Sequence, residues 1–111
     1  MVENRKNPRL QISQYPGYSI RIIPTKSQEL SFRMDILNLS EEGCSVHSEN
    51  GDIPLDIADS LKGFLEDRSG KNLVRFTGYV VWKQENRLGI CFHREISIPE
   101  QIIALEMSLI E

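Results

Sequence analysis

Two short segments carry residue types whose spacing suits ligand chemistry: Arg5-x3-Arg9 near the start of the chain and Asn38-x-Ser40-x2-Gly43 further on. A guanidinium can fork onto phosphate oxygens, pair with the O6 and N7 edge of guanine, or stack on a base. Pro8 works against a helix across Arg5 to Arg9, so the arm is expected to be extended, and a four-residue step then returns to the same face about 13 Å along. Both arginines can therefore face one anionic ligand. Asn38 can accept and donate at a base edge, Ser40 adds a hydroxyl, and Gly43 permits a backbone turn that brings amides close to a ligand. A structural reading stands beside this one, in which Asn38-Leu39-Ser40 builds a side-chain-to-backbone turn between strands.

Other chemistries find less support. Nothing matches a nucleophile elbow, a phosphate loop or a helical His pair with an intervening Glu, so no enzymatic activity is expected. Cys44-x2-His47 and Cys91-x-His93 together offer two sulfurs and two nitrogens. On a strand, however, Cys44 and His47 point to opposite faces, and both histidines read as ordinary strand or loop residues. Glu41 and Glu42 are adjacent acids with no identifiable partner, the pattern of a solvated loop. No cofactor is implied.

Charge sorts the partners. The net charge is -3, but residues 1–10 carry Arg5, Lys6 and Arg9 against Glu3, which puts +2 on the tip and -5 on the rest. An acidic body lacks the broad basic face a nucleic-acid polymer requires, while a basic tip suits a small anion or simply solvates the chain. No apolar run approaches the roughly 20 residues of a membrane span, and MVENRKNPRLQ has no apolar stretch behind its basic residues, so a cytoplasmic protein without membrane insertion is expected. Cys44 and Cys91 should be reduced there.

The elements that must hold these residues are mostly strands. Leu30 to Ile36 alternates apolar and polar residues without a fault, and Ser19 to Ile22 alternates likewise between Pro16-Gly17 and Pro24. Leu73 to Trp82 is rich in Val, Phe, Tyr and Thr, with Gly78 as a site for a bulge or bend. Gln84 to Arg87 is a connection of hairpin length, and Leu88 to Phe92 is its return strand. Gly43 to Val46 and Ile53 to Ile57 are shorter strand candidates, while periodicity leaves Ile57 to Glu66 open between strand and helical turn. Ser97-Ile98-Pro99-Glu100 reads as a capping box opening a helix with apolar residues from Ile102 to Ile110. About six short strands and a terminal helix favour a small antiparallel barrel, because closure removes exposed edges. The division expected is a flexible arm over residues 1–10 and a barrel domain with its helix over 11–111.

The order and spacing of Arg5-x3-Arg9 and Asn38-x-Ser40-x2-Gly43 resemble the two-part signature of the PilZ domain family, and Val80-Val81-Trp82 with Gly89-Ile90-x-Phe92 resembles its later strands. The resemblance covers nearly the whole chain. It implies a six-stranded antiparallel β-barrel with a C-terminal helix, and a receptor for cyclic di-GMP on which the arginine arm and the Asn-Ser-Gly loop close. Asn38 stands where the family more often has Asp, so charge assistance is lost, and Asn4 stands where some members carry a basic residue. With no second domain on the chain, the resemblance points to a separate effector protein as the recipient of the signal; the alternative is a PilZ-fold interaction module that binds no nucleotide. Trp82 matches a family position that in some members lies beside a guanine, and it is expected at the barrel rim near Arg9 and Ser40. Parity competes with that placement, since Trp82 shares its side with Val80, Gly78 and Phe76, an apolar face, unless a bulge at Gly78 intervenes.

Overall fold

A computed structural model describes residues 15–49 and 51–110. The strands are β1 (Ser19–Pro24), β2 (Phe32–Leu39), β3 (Gly43–His47), β4 (Ser60–Glu66), β5 (Asn72–Gln84) and β6 (Arg87–Phe92), followed by helix α1 (Glu100–Ile110). All neighbours pair antiparallel, and the order β1-β2-β3-β6-β5-β4 closes on itself through the β1–β4 ladder. The barrel expected from the pattern of short strands is therefore the one formed, and it leaves no edge strand to protect.

Alternation explains the wall. Ile20 and Ile22 of β1, Met34 and Ile36 of β2, Leu61 and Leu65 of β4, and Leu88 and Ile90 of β6 all point inward and are buried. Tyr15, Ile53, Leu55 and Ile102 of α1 join the same cluster from outside the strands. Closing the barrel removes these side chains from water, at about 1.5–3 kcal/mol for each large aliphatic.

The strand expected from Leu30 begins instead at Phe32, with Leu30 exposed, and two further segments depart from the sequence pattern. Ile53 to Ile57 is not a strand: Pro54 has no amide to donate and the Leu55 N–H turns back onto the Ile53 carbonyl at 2.8 Å, so Ile53 and Leu55 are buried from an irregular segment. The open stretch after it resolves into β4 from Ser60. Helix α1 begins two residues later than a cap at Ser97 would give. The Pro99 carbonyl accepts from the Ile103 N–H at 3.1 Å, and Pro99 keeps Ile98 out of the helical region. The arm over residues 1–10 lies outside the described residues.

Candidate functional site

Two bulges set the outer wall. In β2 the inward series Met34, Ile36 would continue to Asn38, but pairing with β3 steps from Ile36–Val46 to Asn38–Ser45. Leu37 is the extra residue, so Leu39 takes the next inward place and Asn38 turns outward, half-buried. The same happens in β5, where pairing with β6 steps from Val80–Ile90 to Trp82–Gly89. Val81 is the extra residue. Phe76, Gly78 and Val80 face inward, and Trp82 emerges on the outside with 39% of its surface exposed. The change of face that decides between core and exterior thus occurs at Val81, not at Gly78, and Trp82 is not a core residue.

Each bulge brings its residue into one cross-strand row: Asn38, Ser45, Gly89, Trp82. At about 4.8 Å per strand the row is roughly 14 Å long. Its middle is covered, with Ser45 and Gly89 both buried. The pyrrole edge of the Trp82 indole rests directly on Gly89, where a Cβ would overlap Nε1, Cε2 and Cδ1. Ser45 is buried although it faces outward. The row thus presents an exposed aromatic at one end and a half-buried amide at the other, with Ser45 and Gly89 buried between them. The Asn38 side chain makes no hydrogen bond among the described residues.

The turn between β2 and β3 adjoins the Asn38 end, and Ser40 holds it. The Ser40 Oγ accepts from the Glu42 and Gly43 N–H groups, each at 3.2 Å, and donates to the Gly43 carbonyl at 3.3 Å, while the Ser40 N–H donates to that carbonyl at 2.8 Å. The hydroxyl therefore builds the side-chain-to-backbone turn, and the Gly43 amide is engaged within it. Gly43 serves the close approach of β3 to β6, for a Cβ there would overlap the Ile90 carbonyl. The carbonyls of Glu42 and Glu41 accept from the Phe92 and Ile96 N–H groups at 2.8 and 2.9 Å. Six hydrogen bonds around one loop make it a fixed end wall for the row.

A second polar row lies beside the first, with Asp35, His47 and Arg87 in register. The Asn86 Nδ2 donates to the Ser48 carbonyl at 2.9 Å and lies 3.1 Å from the His47 Nε2, while the His47 Nδ1 lies 3.8 Å from the Asp35 Oδ2. Cys44 points into the barrel and Cys91 out of it, on opposite sides of the wall. Burial pushes the Cys44 thiol far above its usual range, which leaves it protonated and inert. Among the described residues no three His, Cys, Asp or Glu side chains are placed to hold a metal ion.

Of the residues singled out from the sequence, Asn38, Ser40, Gly43 and Trp82 fall on this stretch of wall, whereas Arg5 and Arg9 lie outside the described residues. Ser45 was not among them, and Gly89 entered only through the strand resemblance, with no site role. Parity could have supplied Ser45, which stands two residues from Gly43 on the same strand face. Gly89 carried a weaker signal, as a lone glycine in a return strand marks a close approach by another group.

No curated protein matches the chain. The family description of the PilZ domain matches residues 3–108, from the arginine segment through the helix. With a closed six-stranded barrel and the Asn-Ser-Gly turn at one end of its outer row, the chain belongs to the PilZ domain family.

Proposed function

We propose that the protein is a cytosolic cyclic di-GMP receptor that acts by binding rather than catalysis and passes the signal to a separate effector protein. The observation that supports this most is the row from Asn38 to Trp82, assembled by two independent bulges, with the Trp82 indole seated on Gly89. A guanine can stack on the exposed face of the Trp82 indole, since base–aromatic stacking contributes about 1–3 kcal/mol. Asn38, whose amide makes no hydrogen bond among the described residues, can pair with a base edge at the other end. Arg5 and Arg9 fork onto the phosphates or stack over the bases from above, which orders the arm and changes the surface an effector meets. The Ser40 turn fixes the Asn38 end of the row.

Calorimetry with cyclic di-GMP beside GTP and a short single-stranded RNA tests the reading. Saturable heat with cyclic di-GMP alone supports it. Heat with none of the three would favour the module that keeps the barrel without a nucleotide, and heat with RNA would move the protein to another class.

A further inference from the structure

A second concave site lies elsewhere on the barrel. It is an open cleft of about 530 Å³ lined by Lys62, Arg75, Thr77, His93, Arg94 and Glu95, with Phe76 and Ile96 as its apolar part. Lys62 and Thr77 are register partners on the outer face of β4 and β5, and Arg75 lies two residues from Thr77 on that face. The opposite wall is the segment leaving β6. Its position is fixed, because the His93 N–H donates to the Thr77 carbonyl at 2.9 Å, the His93 Nδ1 lies 3.1 Å from the Thr77 Oγ1, and the ring stacks on Tyr79 with centroids 5.5 Å apart. The Ile96 N–H is held by the Glu41 carbonyl.

Three basic side chains therefore line the cleft beside one acid, Glu95, on a chain whose net charge is -3. None of Lys62, Arg75 and Arg94 forms an ion pair among the described residues, although Arg21, Lys26, Arg33 and Lys83 all do. Unpaired like charges around one hollow repel each other, and a multivalent anion removes that cost. Two guanidiniums and an ammonium suit phosphoryl oxygens, and the volume falls in the range of small-molecule sites, about 300–1,000 Å³. Thr77 and Trp82 are five residues apart on β5, roughly 16 Å at strand rise, so the cleft is separate from the Asn38 row.

We propose that this cleft is a second binding site, for a small phosphorylated molecule of mono- or diphosphate class, independent of the cyclic di-GMP reading. The probe is inorganic pyrophosphate, titrated calorimetrically into the full chain, with sodium sulfate at equal ionic strength as reference. Saturable binding by pyrophosphate above the sulfate reference is expected. Arg75→Gln and Arg94→Gln should each weaken it tenfold or more, while Lys71→Gln, an exposed cation outside the cleft, should not. Amide resonances of Thr77 and His93 should shift in the unmodified protein, and cyclic di-GMP titrations should be the same in all variants. Equal heats from sulfate and pyrophosphate, equal weakening by Lys71→Gln, or shifts confined to the Asn38 row would each overturn the proposal. Loss of cyclic di-GMP binding in the Arg75 and Arg94 variants would also overturn it, by making the cleft part of the dinucleotide site.

Discussion

The contact between Trp82 and Gly89 can be broken by one methyl group. Gly89 has no positive φ, so Gly89→Ala strains no backbone dihedral, but the new Cβ would overlap the indole and force it off the wall. Trp82 is 39% exposed, so of the roughly 250 Å² of a tryptophan about 150 Å² is covered. If displacement uncovers about a third of that, near 50 Å², the cost is about 1–1.5 kcal/mol at 25 cal/mol per Å². For a domain of this size that lowers the melting temperature by about 4–10 °C. Loss of the stacking platform should also weaken cyclic di-GMP by about 5- to 150-fold, the equivalent of 1–3 kcal/mol. Because Trp82 is the sole tryptophan, its emission should shift red and its quencher access rise in the unliganded variant. The decisive assay is the double-mutant cycle with Trp82→Ala, in which Gly89→Ala should become nearly neutral. If Gly89→Ala costs the same in both backgrounds, or leaves emission and affinity unchanged, the platform argument is refuted.

Ser40→Ala removes an oxygen that accepts two amides, so it should lower thermal stability by about 1–2 kcal/mol and weaken cyclic di-GMP as well; calorimetry with thermal melts separates this from loss of binding alone. Glu66 is 5% exposed and receives Arg21 at 3.1 Å and Arg33 at 3.5 Å, but both arginines are partly exposed, so Glu66→Gln should cost roughly 1–2 kcal/mol in a denaturant titration without changing ligand affinity. Asp67 accepts from the Ser69 hydroxyl, the Lys71 N–H and the Ser69 N–H, which hold its carboxyl below the usual range. Its contribution is present above the unfolded carboxylate pKa and is lost as pH falls through the lowered value, so Asp67→Asn should narrow its stability gap to the native protein under acid melts. Arg5→Ala and Arg9→Ala should each weaken cyclic di-GMP roughly ten- to a hundredfold by calorimetry while leaving the melting temperature of the free protein unchanged.

Much of the barrel could be read from alternation. Ser19 to Ile22 and Leu30 to Ile36 announce one inward face each, and the barrel buries Ile20, Ile22, Met34 and Ile36 of them while Leu30 stays exposed. What alternation cannot locate is a change of parity inside an apolar run. Ile36-Leu37 and Val80-Val81 are adjacent apolar pairs, and either member could face the core; the pairing partners on β3 and β6 decide, and those are distant in sequence. Asn38 and Trp82 were therefore identifiable by type and spacing, while their outward placement in one row was not. Ile53 and Leu55 mislead for a related reason, because burial at alternate positions needs no strand when Pro54 bends the chain. The basic cleft escapes sequence reading altogether, since Lys62, Arg75 and Arg94 are brought together only by barrel closure and the path after β6.

The place proposed for cyclic di-GMP is the outer wall from Asn38 to Trp82. Heteronuclear spectra during a cyclic di-GMP titration test it most directly through four signals: the Asn38 side-chain amide, the backbone amides of Ser45 and Gly89, and the Trp82 indole N–H. Saturable shifts at all four, with a common midpoint that matches calorimetry, are the predicted result. Calorimetric binding with these four signals unmoved would contradict the account and place the ligand elsewhere on the barrel.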